Sequence, residues 1–317
     1  MREQVLAEWL SHTEWANWDR HAITGDASSR RYERLFDAKG SSVILMDAPI
    51  ETCGSQKTFV TMAKHLCSLG LAAPEVLEWS DSLGLMVLRD LGDMDFAQHL
   101  KLNPSDETLL YRHAVDVLRK LQSSPPPAGL PGMNPEVGVE MLALAFDWAA
   151  IDQSADLRAE IENEMYSLLI QVDPSPSALS LRDYHAENLI WRNGCAGIDR
   201  VGLLDFQDAF ITHPTYDLAS LLRDARRDVS ASMLDELLLR LNPDADQGSQ
   251  RTAFHVMAVQ RNLRILGIFQ RLAQRDGKAR YLDFVPRVKN HLRADLASSP
   301  LGSFGALVNR AFLEDLN

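Results

Sequence analysis

The spacing of apolar positions predicts two kinds of structure along the chain. Up to about residue 90, short apolar runs are separated by turns, which is typical of strands. The predicted strands cover 31–36, 42–46, 76–79 and 83–88. Helices are predicted at the N-terminus and over 55–69, where apolar residues recur at helical spacing. A small sheet with accompanying helices is therefore expected over residues 1–91.

After residue 91 the pattern becomes predominantly helical. Asn103 and Pro104 are residue types that open helices, and an apolar stripe follows them. The Pro- and Gly-rich segment 123–138 predicts a loop. Further helices are expected near 139–150, over 157–171 and toward the end of the chain. The pattern predicts an α+β protein of two lobes, residues 1–91 and residues 92–317, joined by a connector at 88–92.

One short stretch carries the chemistry of phosphoryl transfer. Asp183 and Asn188 have the D-x-x-x-x-N spacing of kinase catalytic loops, in which the Asp faces the acceptor hydroxyl and the Asn holds a metal. Apolar runs at 189–191 and 201–204, with a turn at 193–194, predict a hairpin that returns Asp205 to Asn188. Carboxylate and amide oxygens suit Mg²⁺. We therefore predict a catalytic Asp183, the metal ligands Asn188 and Asp205, and use of ATP with Mg²⁺.

A chance match is the alternative to this interpretation, because an Asp that closes a strand is commonly a turn former. Two other Arg-Asp pairs test the specificity of the motif. Five residues after Asp90 and Asp224 stand Asp95 and Val229 instead of Asn, and neither pair is followed by an apolar hairpin. The combination of loop and hairpin favours kinase chemistry.

Nucleotide-binding residues are predicted in the first lobe and the connector. Gly25, Ser28 and Ser29 lie in a turn that could cover phosphates with backbone N–H groups, although an ordinary turn has the same composition. In the connector, Arg89 and Leu91 are candidate nucleotide contacts.

The lysine that kinases usually place on a first-lobe strand is missing. Met46 stands where it is expected, and the helix over 55–69 has no Glu to pair with a lysine. Arg30, Arg31 or Lys57 could supply the positive charge, and the sequence leaves open which, with Arg31 placed among the candidate cofactor contacts.

Composition and charge narrow the class of protein. A chain of 317 residues with 46% hydrophobic and 24% charged residues is ordinary for a soluble globular protein. A formal charge of −12 argues against nucleic acid or an anionic membrane as the main partner. The three cysteines lack zinc spacing, and the N-terminal stretch has acidic residues where a signal peptide would be basic. We expect a cytoplasmic monomer that acts on a small molecule and does not bind a membrane.

With these residues placed, the chain resembles the aminoglycoside phosphotransferase and choline kinase superfamily. That group has an H-x-D-x-x-x-x-N loop, which corresponds to 181–188, and an I-D-[WF] metal motif, which corresponds to 204–206. Within the group the chain is similar to bacterial kinases of cell-wall recycling that phosphorylate N-acetylmuramate and N-acetylglucosamine at the anomeric hydroxyl. The matching stretches are 25–32, 45–49, 183–189, 204–209 and 260–269.

The resemblance implies a bilobal protein-kinase-like fold and a sugar 1-kinase of peptidoglycan recycling. Its acceptor is expected between the catalytic loop and the helical lobe. The polar candidates there are Glu187, Gln207, Asp208, Arg261 and Asn262. The superfamily's first His is Leu181 here and its Gly-Asp-Pro is replaced at 212–214, so an aminoglycoside acceptor does not follow. A kinase for an aminoglycoside or another small alcohol and a nucleotide-binding module without catalysis stay open.

Overall fold

The protein is described from a computed structural model that covers residues 2–23, 30–298 and 301–313. The strands are β1 (Asp19–Ile23), β2 (Arg31–Phe36), β3 (Ser42–Asp47), β4 (Val76–Ser80), β5 (Leu85–Arg89), β6 (Ala178–Ser180), β7 (Leu189–Trp191), β8 (Val201–Leu203) and β9 (Phe210–Thr212). The helices are α1 (Arg2–Ser11), α2 (Ile50–Cys53), α3 (Lys57–Ser68), α4 (Phe96–Leu102), α5 (Glu107–Gln122), α6 (Pro135–Glu140), α7 (Ala143–Ala149), α8 (Ala155–Val172), α9 (Tyr216–Leu222), α10 (Leu234–Leu241), α11 (Gln247–Gln274), α12 (Val285–Leu296) and α13 (Gly302–Val308).

The first five strands form one antiparallel sheet in the order β1-β2-β3-β5-β4. Alternation along β3 assigns its two faces. Val43 and Leu45 join a core with Leu6 and Leu10 of α1, whereas Met46 joins the larger core that includes α3. The sheet is therefore covered by a helix on each face, which fits the continuous apolar run of β3.

The remainder of the chain is mostly helical, and long buried helices hold it together. The predicted apolar stripe of α5 is fully buried. The 28-residue helix α11 approaches α7 so closely at Gly267 that a Cβ there would lie 2.2 Å from the Leu144 carbonyl oxygen. Only glycine fits at that contact. The α+β prediction, with a sheet-rich first part and a helical second part, is confirmed; the boundary at residues 91 and 92 stays a prediction, and the sheet ends at Arg89.

Several local predictions were incomplete. Strand β1 was missed because it is an exposed edge strand with little apolar alternation. The segment predicted as a loop contains α6, whose start is marked by Asn134 accepting a hydrogen bond from the Val137 N–H (2.9 Å). Pro104 opens a 3₁₀ turn, with α5 beginning at Glu107, and the Asn103 side chain makes no cap bond.

No helix in the described part of the chain is long and apolar enough to cross a membrane. The three cysteines, Cys53, Cys67 and Cys195, are all free and half-buried.

Candidate active site

A short hairpin brings the two predicted metal ligands together. Strands β7 and β8 pair with Leu189 opposite Leu203, and the Leu204 N–H donates to the Asn188 carbonyl (3.0 Å). The Asn188 amide nitrogen consequently lies 3.5 Å from a carboxylate oxygen of Asp205 and donates to the Asp183 carbonyl (2.9 Å). Because the nitrogen is used within the loop, the amide oxygen of Asn188 is the atom left for a cation. The hairpin forms as predicted, while the metal-binding roles stay predictions.

Asp205 occupies an unusual backbone conformation in an electrostatically crowded place. Its φ of 57° is left-handed, which costs a non-glycine residue about 1–3 kcal/mol. Although Asp205 is exposed at the edge of the cleft, partial desolvation by the surrounding protein raises its pKa; Gln207, which donates to it at 2.8 Å, lowers this pKa, and the nearby Asp183 charge raises it. Arg30 also lowers it, and Asp208 raises it. The charges of Asp183 and Asp208 therefore both act on Asp205 at this edge of the cleft.

Phe206 fixes the position of Asp205 from behind. Its ring is fully buried and stacks on Phe59 of α3, with 4.9 Å between the ring centroids. The contact ties the residue after the metal-ligand candidate to the helix of the sheet-rich part. Because the Phe206 ring is held by this packing, it restrains the position of the neighbouring Asp205.

Asp217 holds the backbone that precedes Asp183. Its carboxylate accepts from the Leu181 N–H (2.7 Å), the Arg182 N–H (3.0 Å) and the Ser180 hydroxyl (2.6 Å). Burial raises the pKa of Asp217 to about 6, against the lowering effect of these hydrogen bonds. Arg182 is held at a φ of 71°, so it and Asp205 are the only non-glycine residues with left-handed backbone in the described chain. Both strained positions lie beside the predicted catalytic groups.

His185 is buried within the catalytic loop. Burial lowers its pKa well below the ordinary value, and the charges of Arg226 and Arg261 lower it further. The imidazole is therefore neutral at physiological pH, with its Nε2 3.3 Å from the Asn188 amide nitrogen. A buried neutral ring in contact with Asn188 helps to shape the catalytic loop.

A cleft of about 700 Å³ opens beside this loop. One part of its lining is apolar and comes from the sheet, the connector and the hairpin. These apolar residues are Ile44, Leu88, Leu91, Ile190 and Leu204. The other part carries charged and aromatic side chains near the catalytic loop. An apolar pocket with a few converging polar groups is the usual form of a small-molecule site.

Several predicted site residues border this cleft, and others do not. Those that border it are Arg89, Leu91, Glu187, Asn188, Asp205 and Gln207. Asp183 is half-buried and outside the lining, but its charge raises the pKa of Asp205 and Asp217, which places it near both. Gly25, Ser28 and Ser29 lie outside the described residues, so their predicted role is untouched.

Four predicted residues have other surroundings. Arg31 pairs with Asp47 (2.7 Å) and does not border the cleft, because its side chain points along the sheet to the neighbouring strand. Asp208 is exposed beside Asp205 without lining the cleft. Arg261 and Asn262 are buried inside α11, where burial lowers the pKa of Arg261. The charge of Asp183 raises the pKa of Arg261, so these two groups lie near each other.

The structure also shows what occupies the place of the missing lysine–glutamate pair. Met46 is fully buried opposite Met86 and shares a core with Met62 of α3. Apolar side chains thus stand where an ion pair is usual, an exchange that proteins tolerate when both charges are lost together. Of the three candidate cations, Lys57 pairs with Asp81 (3.2 Å), Arg31 pairs with Asp47, and Arg30 borders the cleft.

Sequence reasoning did not find the residues on the helical side of the cleft. Arg226, Tyr281 and Phe284 border it there. The signal in the sequence is ambiguous, because Arg226 and Arg227 are adjacent and only the fold shows which one faces the cleft. Arg227 instead binds the Tyr111 hydroxyl (2.6 Å) and Glu107 (2.8 Å).

The fold and this site define a class of protein. Residues 19–255 match the phosphotransferase enzyme family, and the chain belongs to that family. The prediction of a phosphotransferase is confirmed.

Relatives narrow the class further. The chain is 36% identical to an N-acetylmuramate/N-acetylglucosamine kinase of Caulobacter vibrioides, over 98% of this chain and 96% of that protein. It is 32% identical to an N-acetylmuramate/N-acetylglucosamine kinase of Neisseria meningitidis serogroup B, over 92% of this chain and 91% of the relative. The predicted resemblance to amino-sugar kinases is therefore confirmed.

Solved structures support the predicted bilobal protein-kinase-like fold. A choline/ethanolamine kinase family protein from Mesorhizobium loti superposes with a TM-score of 0.67, covering 98% of this chain and 99% of its own. Sequence identity with that protein is 16%, so the likeness concerns the fold alone.

Proposed function

We propose that this protein is an ATP- and Mg²⁺-dependent kinase that phosphorylates the anomeric hydroxyl of N-acetylmuramate or N-acetylglucosamine in peptidoglycan recycling. The observation that carries the proposal is the convergence of Asn188 and Asp205 beside the catalytic loop of Asp183. The names of relatives that match nearly the whole chain support the amino-sugar acceptor. We expect the enzyme to act as a monomer in the cytoplasm, where ATP is available.

Asp183 is proposed to accept or orient the proton of the acceptor hydroxyl. The sugar oxygen then forms a bond to the γ-phosphorus while the bond from that phosphorus to the ADP oxygen breaks. An anomeric hydroxyl is more acidic than an ordinary alcohol, so a weakly basic carboxylate such as Asp183 is sufficient to assist its deprotonation. The chain's main contribution is to hold Asp183 in place, through the bonds that Asp217 makes to the preceding backbone.

The donor set fits Mg²⁺, because Asn188 and Asp205 offer one amide and one carboxylate oxygen at the edge of the cleft. Bound between these residues and the nucleotide, the ion would neutralise phosphate charge during transfer. The raised pKa of Asp205 fits a carboxylate whose natural counterion is a cation.

Arg30 is proposed to take the phosphate-binding role of the missing strand lysine. It borders the cleft, and its charge lowers the pKa of both Asp205 and Tyr32, so it faces the metal-binding edge. Arg31 and Lys57, the other two candidates, do not border the cleft. A guanidinium is well suited to phosphate because of its planar fork of donors.

The base of the nucleotide is proposed to lie against the apolar part of the cleft, at Leu91 of the connector. The Arg89 side chain pairs with Glu75 (2.5 Å), so any contact from Arg89 to the nucleotide would come from its backbone. Gly25, Ser28 and Ser29 remain proposed phosphate contacts, and Gln207 a proposed acceptor contact.

An acceptor panel tests the proposal. Purified protein with ATP and Mg²⁺ should release ADP with N-acetylmuramate and N-acetylglucosamine, and much more slowly with choline, homoserine or an aminoglycoside. Preference for one of the latter would establish a kinase for another small alcohol. Nucleotide binding without ADP release for any acceptor would instead support a module that has lost catalysis.

A further inference from the structure

We propose that Arg226 reads a carboxylate carried by the acceptor and so sets the enzyme's preference between acid and neutral amino sugars. The inference rests on the proposed function, since it concerns the acceptor of that same reaction. Four residues carry it, Glu187, Arg226, Tyr281 and Phe284, which together we term the acceptor wall. All four border the cleft.

The acceptor wall lies at the catalytic-loop end of the cleft. Glu187 belongs to the loop itself, between Asp183 and Asn188, and its carboxylate is 2.9 Å from Nε of Arg226. The charge of Arg226 also lowers the pKa of His185 in that loop. Arg226 is therefore close to the place where the acceptor hydroxyl must reach Asp183.

Arg226 is held on one side and open on the other. Glu187 engages Nε, and the guanidinium carbon lies 5.9 Å from the centroid of the Phe284 ring. In the part of the chain that the structure describes, neither terminal nitrogen of Arg226 makes a hydrogen bond. They present a pre-oriented pair of donors to the cleft, which is the geometry that recognises a carboxylate bidentately.

The aromatic residues of the wall are rigidly packed. Tyr281 and Phe284 both contact Phe269 of α11, with ring centroids 5.3 and 5.6 Å apart. Tyr281 is 7% exposed, so only a small part of it reaches the cleft. An apolar surface beside an oriented cation fits a ring compound that has one apolar face and one anionic substituent.

A carboxylate fits this arginine better than the nucleotide phosphates do. Glu187 pairs with Arg226, and its negative charge would repel a polyanionic triphosphate tail more strongly than a single carboxylate. A single carboxylate carries less charge and can use the free edge of the guanidinium. The phosphates have Arg30 and the metal-binding edge at Asn188 and Asp205 available to them instead.

The test compares two acceptors that differ by the acid substituent. For Arg226→Gln, kcat/KM is measured with N-acetylmuramate and with N-acetylglucosamine at saturating ATP. Loss of a charge-assisted bidentate contact should lower the ratio of the two values by about 10- to 100-fold relative to wild type. Arg226→Lys should lower the ratio by a smaller factor, because it keeps the charge without the fork.

Arg275→Gln is the matched control, since Arg275 is exposed, pairs with its neighbour Asp276 and does not border the cleft. It should leave the acceptor ratio unchanged. The inference is overturned if Arg226→Gln has the same ratio of kcat/KM for the two sugars as wild type. If that ratio is unchanged and the KM for ATP rises, Arg226 belongs to the nucleotide site instead.

Failure of the proposed function gives a different result. In that case the wild-type enzyme itself phosphorylates neither sugar, whereas failure of the inference alone leaves both sugars as substrates. If Arg226→Gln does not fold, Arg226→Met is measured in its place, because methionine keeps an apolar stem without the charge. An unchanged acceptor ratio in folded Arg226→Met overturns the inference.

Discussion

Replacing Asp217 by asparagine is expected to slow catalysis without a matching loss of stability. The carboxylate accepts from the N–H groups of Leu181 and Arg182 and from the Ser180 hydroxyl, directly before Asp183. Asparagine has the same shape but only one oxygen, so it cannot accept from all three donors. The Arg182 N–H keeps a second acceptor, the Ser180 hydroxyl oxygen (3.0 Å), which limits the damage to the fold.

The effect on stability follows from the pKa. Asp217 has a pKa of about 6 in the folded protein against an ordinary value of 3.8, so the native state binds more protons than the unfolded state between these values. The contribution of Asp217 to stability therefore falls as pH rises through this window, by about 3 kcal/mol in all. Asparagine does not titrate, and it loses an acceptor worth about 1–3 kcal/mol. At neutral pH, asparagine avoids the cost of burying a charged carboxylate but loses one hydrogen-bond acceptor, and these two effects on stability nearly cancel.

Urea unfolding at two pH values measures this balance. Relative to wild type, Asp217→Asn should gain about 2 kcal/mol of stability between about pH 4.5 and about pH 7.5. At the higher pH its kcat should be about 10- to 100-fold lower, because a small displacement of Asp183 is costly. The KM for ATP should change little, since Asn188 and Asp205 are not touched.

Two results would refute this reasoning. A stability difference that does not depend on pH would show that Asp217 does not have a raised pKa in the folded protein. An unchanged kcat in the folded variant would show that its hydrogen bonds do not position the catalytic loop.

Two further substitutions test the place of the missing lysine. Arg30→Ala should raise the KM for ATP by about 10- to 100-fold, as expected for a lost charged phosphate contact, and an unchanged KM would remove Arg30 from the nucleotide site. Met46→Lys should lower the free energy of unfolding by about 3–5 kcal/mol without raising kcat, because a buried lysine would find no glutamate on α3. Chemical denaturation measures the stability and a kinetic assay measures kcat. A variant that is more active and equally stable would contradict the account.

The catalytic loop and its hairpin were predictable because local chemistry determines them. The apolar runs at β7 and β8 and the turn between them define the pairing that returns Asp205 to Asn188. The same holds for β3 and α3, where a continuous apolar run and apolar residues at helical spacing agree with the observed burial.

Other features depend on contacts that are distant in sequence. The three-residue strands β6 and β9 are too short to leave a pattern, and their pairing is set by the surrounding fold. The choice among Arg30, Arg31 and Lys57 depends on which of them borders the cleft, and only the fold shows that. Likewise, no local signal separates the cleft-facing Arg226 from the buried contacts of Arg227.

Phosphorus NMR of the reaction product tests the central proposal most directly. Wild-type protein with ATP, Mg²⁺ and N-acetylmuramate should yield a sugar phosphate whose phosphorus couples to the anomeric proton. Asp183→Asn should form it about 10²- to 10⁴-fold more slowly while still binding ATP. Absence of any phosphorylated sugar, phosphate on a different hydroxyl, or an Asp183→Asn enzyme as fast as wild type would contradict the assignment of this cleft as a sugar 1-kinase site.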